Sequence, residues 1–145
     1  MKSGSRYEFL DEVTSDLCFA VHADTLEGLF AAAADALVSA TVGDPEKVRE
    51  IEERALTLEE PDLELLLLGF LNELVYLRDA HQLLLRPREL RIHREGSPRL
   101  EARLVGERFL PERYRIATEV KAATAHGLRV VEGAAGWEAR VTLDV

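Results

Sequence analysis

An α+β fold is what this sequence predicts: two apolar helices packed between or against curved, mostly antiparallel sheets, in a single compact domain of residues 1–145. Three observations carry that expectation. Residues Asp62–Ala80, DLELLLLGFLNELVYLRDA, are apolar around most of a helical wheel. Strand-like alternation runs through the chain beyond them, most regularly from Trp137 to Val145. The order of elements is two strands, a helix, a strand, a helix and then a run of strands, which leaves two strongly apolar helices for sheets to cover.

Taken in order, Tyr7–Leu10 reads as a short strand and Leu17–Ala23 as a second, with Leu17, Phe19, Val21 and Ala23 sharing one face. Between them the acidic segment Asp11–Asp16 is rich in turn formers. Asp24-Thr-Leu-Glu27 has the pattern of a capping box and opens a helix expected to reach about Ser39. Leu26, Leu29, Phe30, Ala33, Ala34 and Leu37 form its apolar face, and the run Ala31–Ala34 lets another element approach closely. Gly43-Asp44-Pro45 ends it. Val48–Leu58 is expected to be a strand.

In the following helix the polar positions Asp62, Gly69, Asn72, Glu73 and Tyr76 fall in one narrow strip. The apolar arc is nearly twice the roughly 100° that a surface helix needs, so cover is expected on more than one side. The stretch is too short and too polar for a membrane span, which wants about 20 apolar residues in succession. Leu83–His93 and Arg99–Val105 then form two strands joined through Glu95-Gly-Ser-Pro98, and Leu110-Pro-Glu-Arg113 forms a loop. Thr118–Thr124 is expected to be a strand. Leu128–Glu132 is expected to pair through Gly133-Ala-Ala-Gly136 with Trp137–Val145, whose Trp137, Ala139, Val141 and Leu143 point inward.

Composition narrows the function. With 47% hydrophobic and 31% charged residues the chain has the makeup of a globular protein. Its first residues, MKSGSRYEF, lack the apolar core of a signal peptide, and Cys18 is the single cysteine, so a reducing, cytoplasmic setting is expected. The net charge of −9 argues against unaided binding to nucleic acid and suits either a basic protein partner or plain solubility. The sequence carries no Gly-x-Ser-x-Gly elbow, phosphate-cradling glycine loop or dinucleotide fingerprint. His22, His81, His93 and His126 lack zinc-ligand spacing, and the first three read as structural or solvated histidines.

Two features remain. Asp144 lies beside Val145, so its side chain, the Val145 backbone oxygen and a free α-carboxylate can converge. With Asp16 they would offer only hard oxygen ligands, of the kind Ca²⁺, Mg²⁺ or Mn²⁺ takes. Aspartates so far apart in sequence are otherwise ordinary surface residues. The second feature is Lys121. Lysine occurs at Lys2, Lys47 and Lys121 alone in a chain of 18 basic residues, so a lysine within a predicted strand stands out from the arginines. The plainer alternative is a solvent-facing pair with Glu119.

These residues resemble the archease family. Its first loop reads acidic–His–Thr–Ala–Asp, where this chain has Glu12-Val13-Thr14-Ser15-Asp16. Its later strand reads Glu-Val-Lys-Ala-x-Thr-x-His-Gly-Leu, matched from Glu119 to Leu128, and its end matches Leu143-Asp144-Val145. Leu71–Leu77 matches the Leu-Asn-Glu-Leu-x-Tyr-Leu of its core helix. The chain departs from the pattern at Val13 and Ser15, and Val13 can neither ligate nor hydrogen-bond where the family has histidine. The resemblance implies a protein without catalytic residues of its own: an activator of the GTP-dependent RtcB-type tRNA-splicing ligase, which promotes ligase guanylylation and turnover and relaxes its nucleotide preference. It further implies that Asp16, Asp144 and Val145 hold a divalent metal, expected to be calcium, with Lys121 as a nearby functional cation. A chaperone-like or structural module, in which the metal only stabilises the fold, is the alternative. A metal-assisted hydrolase would need a nucleophile or general base beside these residues, and the sequence supplies none.

Overall fold

The computed structural model describes residues 4–10, 16–109, 114 and 116–145. The predicted acidic connection Asp11–Ser15, with Val13 and Ser15 in it, and the predicted loop Leu110–Arg113 lie outside the described residues. Strands β1 (Arg6–Phe9), β2 (Asp16–Ala23), β7 (Gly136–Asp144) and β6 (Ala122–Gly133) form one antiparallel sheet in the order β1-β2-β7-β6. Strands β3 (Glu52–Glu59), β5 (Arg99–Arg108) and β4 (Leu83–His93) form a second, in the order β3-β5-β4. Helices α1 (Leu26–Val42) and α2 (Leu63–His81) pack against both sheets, and residues from both helices and both sheets share one apolar core. The α+β arrangement is the one the sequence predicts.

Asp62 caps α2 by accepting from the Leu65 N–H at 2.8 Å, and Gln82 closes it in the left-handed region at φ 56. Leu66, Leu67, Phe70, Leu71, Leu74 and Val75 are buried, while Leu65 stays 38% exposed. The more enclosed helix is α1, with twelve buried residues, because its alanines let sheet strands and α2 approach on several sides at once. Phe30 of α1 stacks on Phe70 of α2 with ring centroids 6.0 Å apart.

Four local expectations are corrected. The N-cap of α1 is Thr25 rather than Asp24: its hydroxyl accepts from the Gly28 N–H at 3.0 Å, while Glu27 reaches across to accept from the Ile92 N–H of β4 at 3.2 Å. That tertiary bond replaces the local capping box. The helix runs past Ser39 to Val42 and stops at Gly43, whose φ of 89 suits glycine. Residues 48–51 precede β3 instead of joining it, since Pro45–Lys47 forms a 3₁₀ turn that buries Val48 in a side cluster with Val38, Val42, Leu84 and Tyr114.

The fourth correction concerns β6. Thr118–Lys121 is not strand; β6 begins at Ala122 and continues to Gly133 as one strand broken by a register shift between Thr124 and Arg129. Gly127, at φ 66, lies inside that bulge. Lys121 therefore stands just before a strand, exposed. The β6–β7 turn falls at Gly133–Gly136, and Trp137, Ala139, Val141 and Leu143 are buried as the alternation predicts.

Candidate functional site

The four candidate residues meet at one corner of the four-stranded sheet. Asp16 of β2 and Asp144 of β7 are direct cross-strand partners. Residues so placed share a face, with Cβ atoms about 4.5–5.5 Å apart. That face is the outer one, because their neighbours Leu17 and Leu143 are buried against the core. On the other side of β7, Ala122 pairs with Asp144, and the Lys121 N–H donates to the Asp144 carbonyl at 2.8 Å.

Helix α2 fixes this corner. Strand β6 is the edge of its sheet, so one row of its backbone groups lacks a neighbouring strand. Asn72 supplies partners for two of them: its Nδ2 donates to the Ala123 carbonyl at 3.0 Å and its Oδ1 accepts from the Ala123 N–H at 2.8 Å. Farther along, Glu64 accepts from the Val130 N–H at 3.2 Å, and the Arg78 guanidinium donates to the Val120 carbonyl. The sequence marked Asn72 as polar on an apolar helix but gave no sign of what it holds, and Glu64 and Arg78 carried no signal. Asn72 and Arg78 hold Val120 and Ala123, which flank Lys121, while Glu64 secures the farther part of β6.

Asp16 and Asp144 are like charges placed side by side, an arrangement that costs stability unless something neutralises it. Among the described residues neither has an ion-pair partner, and Lys121 forms no ion pair with Glu119. Two half-buried carboxylates with a backbone oxygen beside them fit the hard-oxygen preference of a divalent cation. Among the described residues no third His, Cys, Asp or Glu joins them in a cluster.

Three of the histidines, Glu101 and Glu107 are engaged elsewhere. His22 lies 3.7 Å from Glu138, His93 lies 3.2 Å from Glu101, and His81 packs edge-on against Tyr76. The hydrogen bond from His93, with the neighbouring Arg99, holds the Glu101 carboxyl below its usual value. Glu107, only 2% exposed, takes the Arg49 N–H and Nε at 2.9 Å each and the Tyr114 hydroxyl, a satisfied network that ties residue 49 to β5. Among the described residues no helix is long and apolar enough to cross a membrane.

Residues 7–145 match the model of the Archease protein family. The Protein archease of Methanosarcina mazei is 36% identical over 145 aligned residues, covering 98% of this chain and 97% of that protein. That of Pyrococcus abyssi is 35% identical and covers both chains completely. Protein 1598 of Methanobacterium thermoautotrophicum superposes with a TM-score of 0.82 at 30% identity, covering 96% of this chain and 98% of that one. An archease of Thermotoga maritima, described as a possible chaperone, shares the fold at a TM-score of 0.63 and 21% identity. A fold and a sequence alike from end to end leave one conclusion: this chain belongs to the archease family.

Proposed function

We propose that this protein is a non-enzymatic activator of a GTP-dependent RtcB-type RNA ligase, promoting ligase guanylylation and turnover and relaxing its nucleotide preference. Asp16, Asp144 and the Val145 backbone oxygen hold a divalent cation, calcium in the first instance and magnesium or manganese as alternatives. The observation that carries this reading is the cross-strand aspartate pair with no counter-cation among the described residues, at the corner where the backbone of Lys121 is pinned. A cation there would neutralise the pair and join β7 to β2, and Lys121 would remain free to meet an anionic group of the partner. Solitary placement of carboxylates and a lysine, without nucleophile or base, suits a protein that adjusts another enzyme better than one with its own reaction.

The deciding experiment follows GTP-dependent guanylylation of the cognate ligase with and without this protein. The activator reading expects a faster burst and sustained turnover; an unchanged ligase would refute it. The second reading, a chaperone-like module in which the cation only stabilises the fold, draws on the description of the Thermotoga maritima relative. It expects the ligase's yield of soluble protein to rise while the guanylylation rate per folded ligase stays constant.

A further inference from the structure

A second pair of like charges lies on the same outer face. Arg129 of β6 and Arg140 of β7, both exposed, are direct cross-strand partners, and the half-buried pair Asp16 and Asp144 lies two rows away. Between the pairs runs the row Cys18, Thr142 and Thr124, in which the Cys18 thiol lies 3.1 Å from the Thr142 hydroxyl. On its other side Arg140 faces Ala20. A hollow of about 570 Å³ opens on this face, bordered by Arg140, Thr142, Cys18, Phe9 and, from the β6 bulge, His126 and Gly127.

Like charges directly opposite are unfavourable, and in a chain with 27 acidic residues counter-charges are abundant. The second sheet uses them: Arg103 pairs with Glu53 at 2.8 Å, Arg99 with Glu101 at 2.9 Å and Arg88 with Glu50 at 3.0 Å. Among the described residues Arg129 and Arg140 have no such partner. The nearest acid on their face, Glu138, is shared with His22, and Glu8 lies beyond Ala20.

We propose that Arg129, Arg140 and His126 form a subsite for the phosphate group of a small nucleotide or polyphosphate. Two guanidinium forks and an imidazole suit an anion with three acceptor oxygens and a charge of roughly −1.5 to −2, whereas a carboxylate would leave one arginine unmatched. The bulge that carries His126 to the rim of the hollow is the kind of strand irregularity that re-aims side chains near ligand sites. Arg140 and Asp144 are four residues apart on one strand face, about 13 Å. The subsite stands on its own arginine pair and does not depend on a cation at the aspartates.

The test uses inorganic pyrophosphate as probe, with EDTA in every sample so that the aspartate site contributes nothing. Thermal midpoints are measured at constant ionic strength for the parent and Arg140→Gln, together with amide shifts by NMR. The parent midpoint is expected to rise about 3–6 °C when pyrophosphate exceeds its Kd roughly tenfold, with shifts centred on Arg129, His126 and Arg140. Arg140→Gln is expected to lose the rise while melting no lower than the parent without probe. The proposal is overturned if Arg140→Gln responds as the parent does, if sodium chloride or a glutamate-rich peptide gives the same rise, or if the shifts map away from this hollow.

Discussion

Asn72→Ala tests the reasoning that assigns α2 the task of holding the site corner. Asn72 is half-buried and makes two hydrogen bonds, at 2.8 and 3.0 Å, with both backbone groups of Ala123. A typical intramolecular hydrogen bond contributes about 0.5–1.5 kcal/mol net, so losing both costs about 2 kcal/mol. For a chain of this size that corresponds to a fall in Tm of about 4–8 °C. Two further readings separate a local effect from general loosening. Hydrogen exchange at the Ala123 amide should accelerate far more than at Phe19 or Leu104 in the core, and Asn72→Asp should fall between parent and Ala because it keeps an acceptor for Ala123 N–H but loses the donor. Calorimetry and amide exchange on the three proteins decide the matter. An Asn72→Ala protein with the parent's Tm and the parent's exchange at Ala123 would refute the assignment.

Four other outcomes follow from the same geometry. Lys121→Ala should change stability by no more than about 1 kcal/mol, because the side chain is exposed, yet remove most of the stimulation of ligase guanylylation; full stimulation by the folded variant would take Lys121 out of the site. Asp144→Asn should melt at or slightly above the parent in EDTA, since it relieves a like-charge pair by up to about 1 kcal/mol, and should lose the parent's rise in Tm with Ca²⁺; retention of that rise would exclude Asp144 as a ligand. Glu101 is held below its usual pKa chiefly by the hydrogen bond from His93, so its contribution is present above the unfolded value and disappears as pH falls through the lower folded value. Acid titration of stability should accordingly be shallower in Glu101→Gln, and identical slopes would disprove the linkage. Labelled tRNA should not bind the pure protein at physiological salt, given the charge of −9; a salt-dependent micromolar shift would contradict that.

What each stretch of sequence decided by itself was decided by short-range periodicity. The apolar arc of Leu66–Val75 and the Asp62 side chain are sufficient to start and orient α2, and the alternation from Trp137 to Leu143 sets which face of β7 is buried. The glycines at 133 and 136 place the hairpin turn, because the chain must reverse between two paired strands there. The family motif named Asp16, Asp144, Val145 and Lys121 without showing how they meet. Their meeting depends on the register of β2 against β7 and of β7 against β6, and that register is set by core packing between strands distant in sequence. For the same reason the sequence misplaced the start of β6 and the N-cap of α1: in both, side chains from α2 or toward β4 supply hydrogen bonds that no local window contains. The opposition of Arg129 to Arg140 was equally invisible, since a bulge of unpaired residues after Thr124 resets the pairing. A period of two carries no trace of an interruption that only the neighbouring strand defines.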